Sequence, residues 1–213
     1  LNKKLIITPL DPNQTFIDDP LRMLRACRFS SQLNFNLASN LSESISANKE
    51  RIKIISQERI RDELFKSLQS DKPSIAFYAM KETGLLKLIL PEIDIMPGIE
   101  IINGMAHKDV FIHTLQVVDN AAKLSNKMEL RFAALVHDIA KPQTKKFYKN
   151  KGWTYYGHDD LGVLMIEKMS KRLKISKKLT RYLQKLTKLH LRPIALAKKG
   201  VTDSAVRRLI MAA

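Results

Sequence analysis

Apolar positions along this chain recur at helical spacing far more often than they alternate. Leu21, Leu24, Ala26, Phe29 and Leu33 carry one face of a helix that starts at Asp18-Asp19-Pro20, where a carboxylate caps and proline takes the first turn. The same periodicity predicts helices near 38–49, 57–69 and 73–83, with Gly84 as the C′ residue of the last. It resumes near 109–126, 129–140, 159–173, 176–191 and 202–212. Phe147-Tyr148 and Trp153-Thr154-Tyr155-Tyr156 flank Lys149-Asn150-Lys151-Gly152, the signal of one small β-hairpin. Leu90-Pro91-Glu92 to Pro97-Gly98 breaks the pattern and marks a boundary. The expectation is an all-α protein in two parts, 13–97 and 98–213. Leu5-Ile6-Ile7, within 1–12, reads as the end of a strand whose partners are absent, and Val206 to Ala213 as an amphipathic helix that stops in mid-pattern. The chain therefore reads as a piece of a longer protein.

Composition narrows the class. With 213 residues, 45% of them hydrophobic, the chain can bury a core. Only 7 glycines argue against Gly-rich phosphate loops, and the single cysteine, Cys27, excludes a disulfide framework or a cysteine-built zinc site. No apolar run reaches the roughly 20 residues that span a bilayer, and no signal peptide opens the sequence. A cytoplasmic location is expected. The net charge of +16 is unevenly spread: residues 1–100 carry 14 basic and 13 acidic side chains, residues 101–213 carry 23 and 8. From Lys141 to Lys199, 17 basic residues face only Asp159, Asp160 and Glu167. Such a bias suits a surface that meets a polyanion, with a merely solvated face as the plainer alternative. No basic helix with an aromatic belt stands out, so RNA or DNA is expected rather than membrane.

All five histidines follow residue 100. His113 lies in an apolar helix, His137-Asp138 closes Phe132-Ala133-Ala134-Leu135-Val136, and His158, His190 and Asp203 follow in order. Imidazoles and carboxylates suit Mg²⁺, Mn²⁺, Fe or Ni. Together they can hold two ions about 3.5–4 Å apart, as phosphate-ester hydrolysis requires. Lys141, three residues after Asp138, shares its helical face and is placed to stabilise a phosphate or leaving oxygen. Taken singly, each histidine is more often a core or cap residue. The adjacent His-Asp pair makes the joint reading the better one.

The first half has its own cluster. Asp19 and Arg22 are three apart, and Arg22, Arg25 and Arg28 step by three. A carboxylate that accepts and a guanidinium that donates match the Watson–Crick edge of a base. An i,i+3 salt bridge is the plainer reading of the same spacing.

The His/Asp series resembles the HD superfamily of metal-dependent phosphohydrolases, with His113, His137, Asp138, His158, His190 and Asp203 on its H…HD…H…H…D pattern; His107 falls outside it. Asp18-Asp19-Pro20-Leu21-Arg22 is similar to the (E/D)DxxR motif of class II tRNA nucleotidyltransferases and bacterial poly(A) polymerases. Arg25-Ala26-Cys27-Arg28-Phe29, Leu33-Asn34-Phe35, Glu58-Arg59-Ile60-Arg61-Asp62-Glu63-Leu64 and Leu90-Pro91-Glu92 continue the resemblance in order. It implies a helical neck followed by an HD domain. It also implies that Asp19 and Arg22, with Asp18 beside them, contact the base of CTP or ATP, that Arg25 and Arg28 orient the templating pair or a phosphate, and that Glu58, Arg59 and Glu63 brace the neck. His137, Asp138 and Lys141 would be the catalytic groups of the HD site, and the tRNA 3′ end the partner. The Gly-Ser loop and D-x-D pair that bind Mg²⁺ in the family's head are not in these residues, so this chain alone is not expected to polymerise. The same motifs serve CCA addition and poly(A) synthesis.

Overall fold

The computed structural model describes residues 3–197 and 201–212. Lys198, Lys199 and Ala213, which close the basic run and the last amphipathic helix in the sequence reading, lie outside the described residues, as do Leu1 and Asn2.

Short strand β1 (Leu5–Ile6) opens the described chain and is followed by α1 (Pro12–Asp18). The periodicity did not reveal α1, yet its start carries the usual signal: Asp11 accepts from the Gln14 amide at 2.9 Å and Pro12 occupies the first turn. Next comes α2 (Leu21–Leu33). Asp19 accepts from the Leu21 amide at 3.1 Å, so it serves as the expected carboxylate cap, and Asn34 ends the helix in the left-handed region at φ 53°. Met23, Leu24 and Cys27 form its buried face. Strand β2 (Asn36–Leu37) pairs in parallel with β1, which corrects the expectation that Leu5-Ile6 has no partner in this chain.

Helix α3 (Ser39–Asn48) runs into a 3₁₀ turn (Lys49–Ile54), then α4 (Gln57–Leu68) and α5 (Ser74–Glu82) follow. Gly84 takes φ 77° just after α5, as its C′ position requires. The expected break at Leu90-Pro91-Glu92 is narrower than predicted. Leu90 leaves helical geometry between two short helices, α6 (Leu85–Ile89) and α7 (Pro91–Asp94).

Hairpin β3 (Ile101–Ile102) and β4 (Met105–Ala106) precedes α8 (Val110–Leu124), which Asp109 caps through the Ile112 amide at 2.9 Å. Helix α9 (Met128–Val136) ends earlier than the predicted 129–140. His137 to Ala140 form a turn before α10 (Lys141–Thr144), because Pro142 has no amide to continue the ladder and fits only a new first turn. The predicted hairpin is present as β5 (Lys146–Tyr148) and β6 (Gly152–Thr154), so the described residues hold two hairpins where one was expected. Helices α11 (His158–Arg172), α12 (Lys177–Leu189), α13 (Arg192–Leu196) and α14 (Asp203–Ala212) complete an all-α architecture with small two-stranded sheets.

A single continuous cluster of buried side chains runs through both halves. Arg131, 3% exposed, stitches them together by donating to the carbonyls of Leu68, Ser70, Ala122 and Ser125 at 2.8–3.0 Å. Asp119 accepts from the amide and hydroxyl of Ser74, and Arg172 grips Glu92 through two contacts of 2.7 and 2.8 Å. Pinned in this way, the second half holds its histidines at fixed points around one turn.

Candidate metal centre and nucleotide-facing helix

The centre is built on Asp138. Because α9 stops at Val136, the His137-Asp138 pair sits in the turn, and Asp138 points inward with 1% of its surface exposed. His113 comes from α8, His158 from the first turn of α11 and His190 from the end of α12. Their Nε2 atoms lie 3.8, 3.6 and 3.6 Å from the carboxylate, and that of His137 lies 3.0 Å away. Lys141 Nζ approaches Oδ2 at 2.7 Å, as the i,i+3 spacing predicts. Two groups of ligand atoms result, each within 4.8 Å: His113, His137 and Asp138, and Asp138, His158 and His190. Asp138 is common to both.

Three backbone carbonyls fix the rings. Nδ1 of His137, His158 and His190 faces the carbonyl of Ala134, Tyr155 and Thr187, three residues earlier in each case, at 2.8, 2.6 and 2.6 Å. Each Nδ1 must donate there, which leaves each neutral Nε2 a lone pair aimed inward. His158 and His190 thus face each other, Nε2 to Nε2, at 3.3 Å. Both Asp138 oxygens are buried and, despite the short approaches of His137 and Lys141, neither accepts a bond of proper hydrogen-bonding geometry. Imidazole nitrogens that converge on a buried carboxylate whose oxygens lack well-formed hydrogen bonds are what a metal ion completes. The donor set of four imidazoles and one carboxylate fits a divalent cation, and its nitrogen-rich character favours a transition ion.

Charge follows the same logic. Burial would raise the Asp138 carboxyl, but His137, His190 and Lys141 outweigh it and hold the group far below the usual carboxylate range. Burial pushes His113 and His158 down. Burial also acts against His190, yet its contacts with Asp138 and the Thr187 carbonyl lift it above the ordinary histidine value. His107 has a structural post: its Nε2 accepts from the Glu100 amide at 3.0 Å and its Nδ1 faces the Lys108 carbonyl. Asp203 is not brought in. It is exposed at the start of α14 and belongs to neither ligand group, because the Leu209 face of that helix, not its first turn, approaches the centre.

On α2 the three arginines part company. Arg22 and Arg25 are exposed, and neither guanidinium has an ion pair or hydrogen bond among the described residues. Arg28 departs from the expected nucleotide-facing line. Each step of three residues rotates about 60° around a helix axis, so two steps carry Arg28 into the contact with α4. There it donates to Glu63 at 2.8 Å and Gln32 at 2.6 Å and lies over the Phe29 ring at 4.1 Å. The plain Asp19–Arg22 salt bridge does not form. Asp19 caps α2 with one oxygen and approaches Arg59 at 3.6 Å with the other, which brings the Asp18-Asp19 and Glu58-Arg59 motifs together. Asp18 is exposed and accepts from Gln14 at 2.7 Å. Sequence reading missed Arg131, whose only signal is a charge inside an apolar helix.

Comparison with known proteins agrees with this geometry. A family described as "Probable RNA and SrmB- binding site of polymerase A" matches residues 34–96, and the HD domain family matches residues 110–213. The Multifunctional CCA protein of Psychromonas ingrahamii is 36% identical over 168 residues, 75% of this chain and 40% of its own length. The protein of that name from Vibrio campbellii is 32% identical over 170 residues, 76% of this chain and 41% of its own. This chain therefore spans about two fifths of the length of these curated relatives. A solved CCA-adding enzyme in its apo form shares the fold at TM-score 0.54 and 16% identity, over 100% of this chain and 47% of that one. A tRNA-processing enzyme complex does so at TM-score 0.58 and 18% identity, over 99% and 50%. With the Asp19/Arg22 helix, the Glu58 motif and the Asp138 centre in one chain, these matches settle the family: the chain belongs to the tRNA nucleotidyltransferase and bacterial poly(A) polymerase family, of which it carries the helical neck and the HD domain.

Proposed function

We propose that this chain is the neck and HD portion of a cytoplasmic enzyme that adds CCA to tRNA 3′ ends, and that its HD centre is a metal-dependent phosphohydrolase acting on phosphomonoesters or 2′,3′-cyclic phosphates. The supporting observation is the pair of buried Asp138 oxygens without a well-formed hydrogen bond, ringed by four inward Nε2 atoms. His113, His137, Asp138, His158 and His190 would hold the ion, with Mg²⁺, Mn²⁺ and Ni²⁺ all compatible with the donors. A bound divalent ion supplies Lewis acidity and an activated water. Lys141 keeps its ammonium at the carboxylate and offers positive charge to the phosphoryl oxygens. In opening a cyclic phosphate, water's oxygen forms a new bond to phosphorus, one ribose oxygen leaves, and that oxygen takes up a proton.

In the neck, Asp19 and the unpaired Arg22 supply an acceptor and donors for the base of CTP or ATP, with Asp18 and Arg25 flanking them. A wrong base leaves such groups unpaired, which is how selection works without a nucleic-acid template. Polymerisation would need Mg²⁺ held by a head domain. Poly(A) synthesis remains the alternative activity for the same neck.

A second reading treats the HD fold as an idle, basic tRNA-docking module, favoured by the 23 basic against 8 acidic residues after position 100. Hydrolysis of 2′,3′-cyclic AMP by this chain with Mg²⁺, Mn²⁺ or Ni²⁺ separates the two. Turnover that vanishes in Asp138→Ala supports the phosphohydrolase; a folded chain inert with every metal supports the docking module.

A further inference from the structure

Two cavities open onto the centre, and His113 and Lys141 line both. One, of about 660 Å³, is walled by apolar groups such as Leu124, Leu189, Ile194 and Leu209. The other, of about 600 Å³, lies between the two hairpins and the start of α8, where Lys108, Lys151, Trp153 and Tyr155 share one space. Apart from Lys141 and the centre's own His113, His137, Asp138 and His190, the lining of the apolar groove carries no ionisable group. A phosphate placed there would lose its hydration against aliphatic walls. The hairpin cleft adds two ammonium groups, and among the described residues neither Lys108 nor Lys151 forms an ion pair with a carboxylate.

The walls of the cleft are already set. Trp153 Nε1 donates to the Met105 carbonyl at 2.9 Å, which bolts β6 to β4. Gly152, at φ +71°, lets the two hairpins close, since a Cβ there would stand 3.3 Å from Met105 Sδ. Phe147 packs edge-on to Trp153 at 5.3 Å, and Lys141 Nζ lies 5.4 Å from the Tyr155 ring centre. Flat aromatic walls beside a row of cations are the chemistry that receives a base and its phosphate together.

We propose that the hairpin cleft, and not the apolar groove, seats the substrate as a nucleoside phosphate. Its phosphate lies at His113 and Lys141 with Lys108 and Lys151 beside it, and its base and ribose lie along Trp153 and Tyr155. This assignment rests on the hydrolytic reading of the centre and gives that centre a substrate side. The ligand is a free nucleotide or the phosphate-bearing end of an RNA chain.

Trp153 is the chain's single tryptophan, so its emission reports on this cleft. The metal-free 213-residue chain is titrated with adenosine 3′-monophosphate. A saturable change in emission is expected, with a dissociation constant raised about tenfold in Lys108→Ala/Lys151→Ala, the scale of one lost charge-assisted contact. Both lysines are exposed, so the double variant keeps the fold, and Ile194→Ala in the apolar groove leaves the constant unchanged. Displacement of the nucleotide by a short RNA ending in a 3′-phosphate assigns the chain end as ligand; no displacement assigns the free nucleotide. No saturable change, an unchanged constant in the double variant, or weakening only in Ile194→Ala overturns the cleft. The two readings fail separately. Binding without turnover under any metal overturns hydrolysis alone, whereas metal-dependent turnover with KM for 2′,3′-cyclic AMP unmoved in the double variant overturns the cleft alone.

Discussion

His158 and His190 meet Nε2 to Nε2 at 3.3 Å while their opposite nitrogens are both committed to backbone carbonyls. Neither ring can turn its lone pair away without giving up that bond, so the pair needs a proton or a metal ion between them. In the metal-free chain, burial lowers His158, while Asp138 and the Thr187 carbonyl raise His190 despite its burial. His190 is therefore the ring that keeps the proton. Metal must displace it, so divalent-ion affinity rises with pH through the His190 titration and then levels off. Titration calorimetry in buffers of different ionisation heat checks this, with net proton release expected at neutral pH. The sign for stability is opposite. A folded-state pKa above the unfolded value stabilises the metal-free fold below the unfolded pKa, and that contribution disappears as pH rises through the folded one.

Gly162 on α11 allows α12 to approach closely. A Cβ there would stand 2.9 Å from Thr187 Cγ2 and 3.6 Å from Ile139 Cγ2. Gly162→Ala should destabilise the chain by about 1–3 kcal/mol through overpacking. It should also weaken metal binding, because Thr187 supplies the carbonyl that orients His190. Thermal melts and metal titration of the same variant test both effects.

Arg28 and Arg22, six residues apart on α2, should respond in opposite ways. Glu63→Ala leaves the buried Arg28 without its carboxylate and is expected to cost about 3–5 kcal/mol in urea denaturation. Arg22→Ala removes an exposed, unpaired charge and should stay within about 0.5 kcal/mol of the parent. In a full-length enzyme, Arg22→Ala should instead impair the choice between CTP and ATP. Unaltered incorporation would remove Arg22 from the nucleotide site.

Cys27 is wholly buried in α2, and burial pushes its thiol up to about 12. A neutral, covered thiol is a poor nucleophile. Thiol-specific labelling should therefore be slow in the native chain and rise only with unfolding of the neck, which makes Cys27 a local stability probe. Fast labelling under native conditions contradicts this.

Helix positions were legible wherever an apolar stripe and a cap coincided, as for α2 and α5 with Asp19 and Gly84. Short helices such as α6 and α13 have too few residues for a period to show. The parallel pairing of Leu5–Ile6 with Asn36–Leu37 depends on a contact 31 residues away, which local pattern does not encode. In the centre, the order of His113, His137-Asp138, His158 and His190 pointed to the cluster before any geometry was known. Spacing did not show that Arg28 rotates into the core or that Asp203 stays outside, since both depend on how a helix face is turned by its neighbours. The carbonyl locks on three Nδ1 atoms are equally invisible in sequence, because any residue three positions earlier supplies one.

The most direct measurement is equilibrium dialysis of the chain against Mn²⁺ or Ni²⁺, followed by metal analysis, with Asp138→Ala beside it. Wild type is expected to retain the ion, and the variant, which loses the ligand common to both groups, is expected to retain none. Equal retention by the two chains, or none by a folded wild type, would contradict a metal centre built on Asp138.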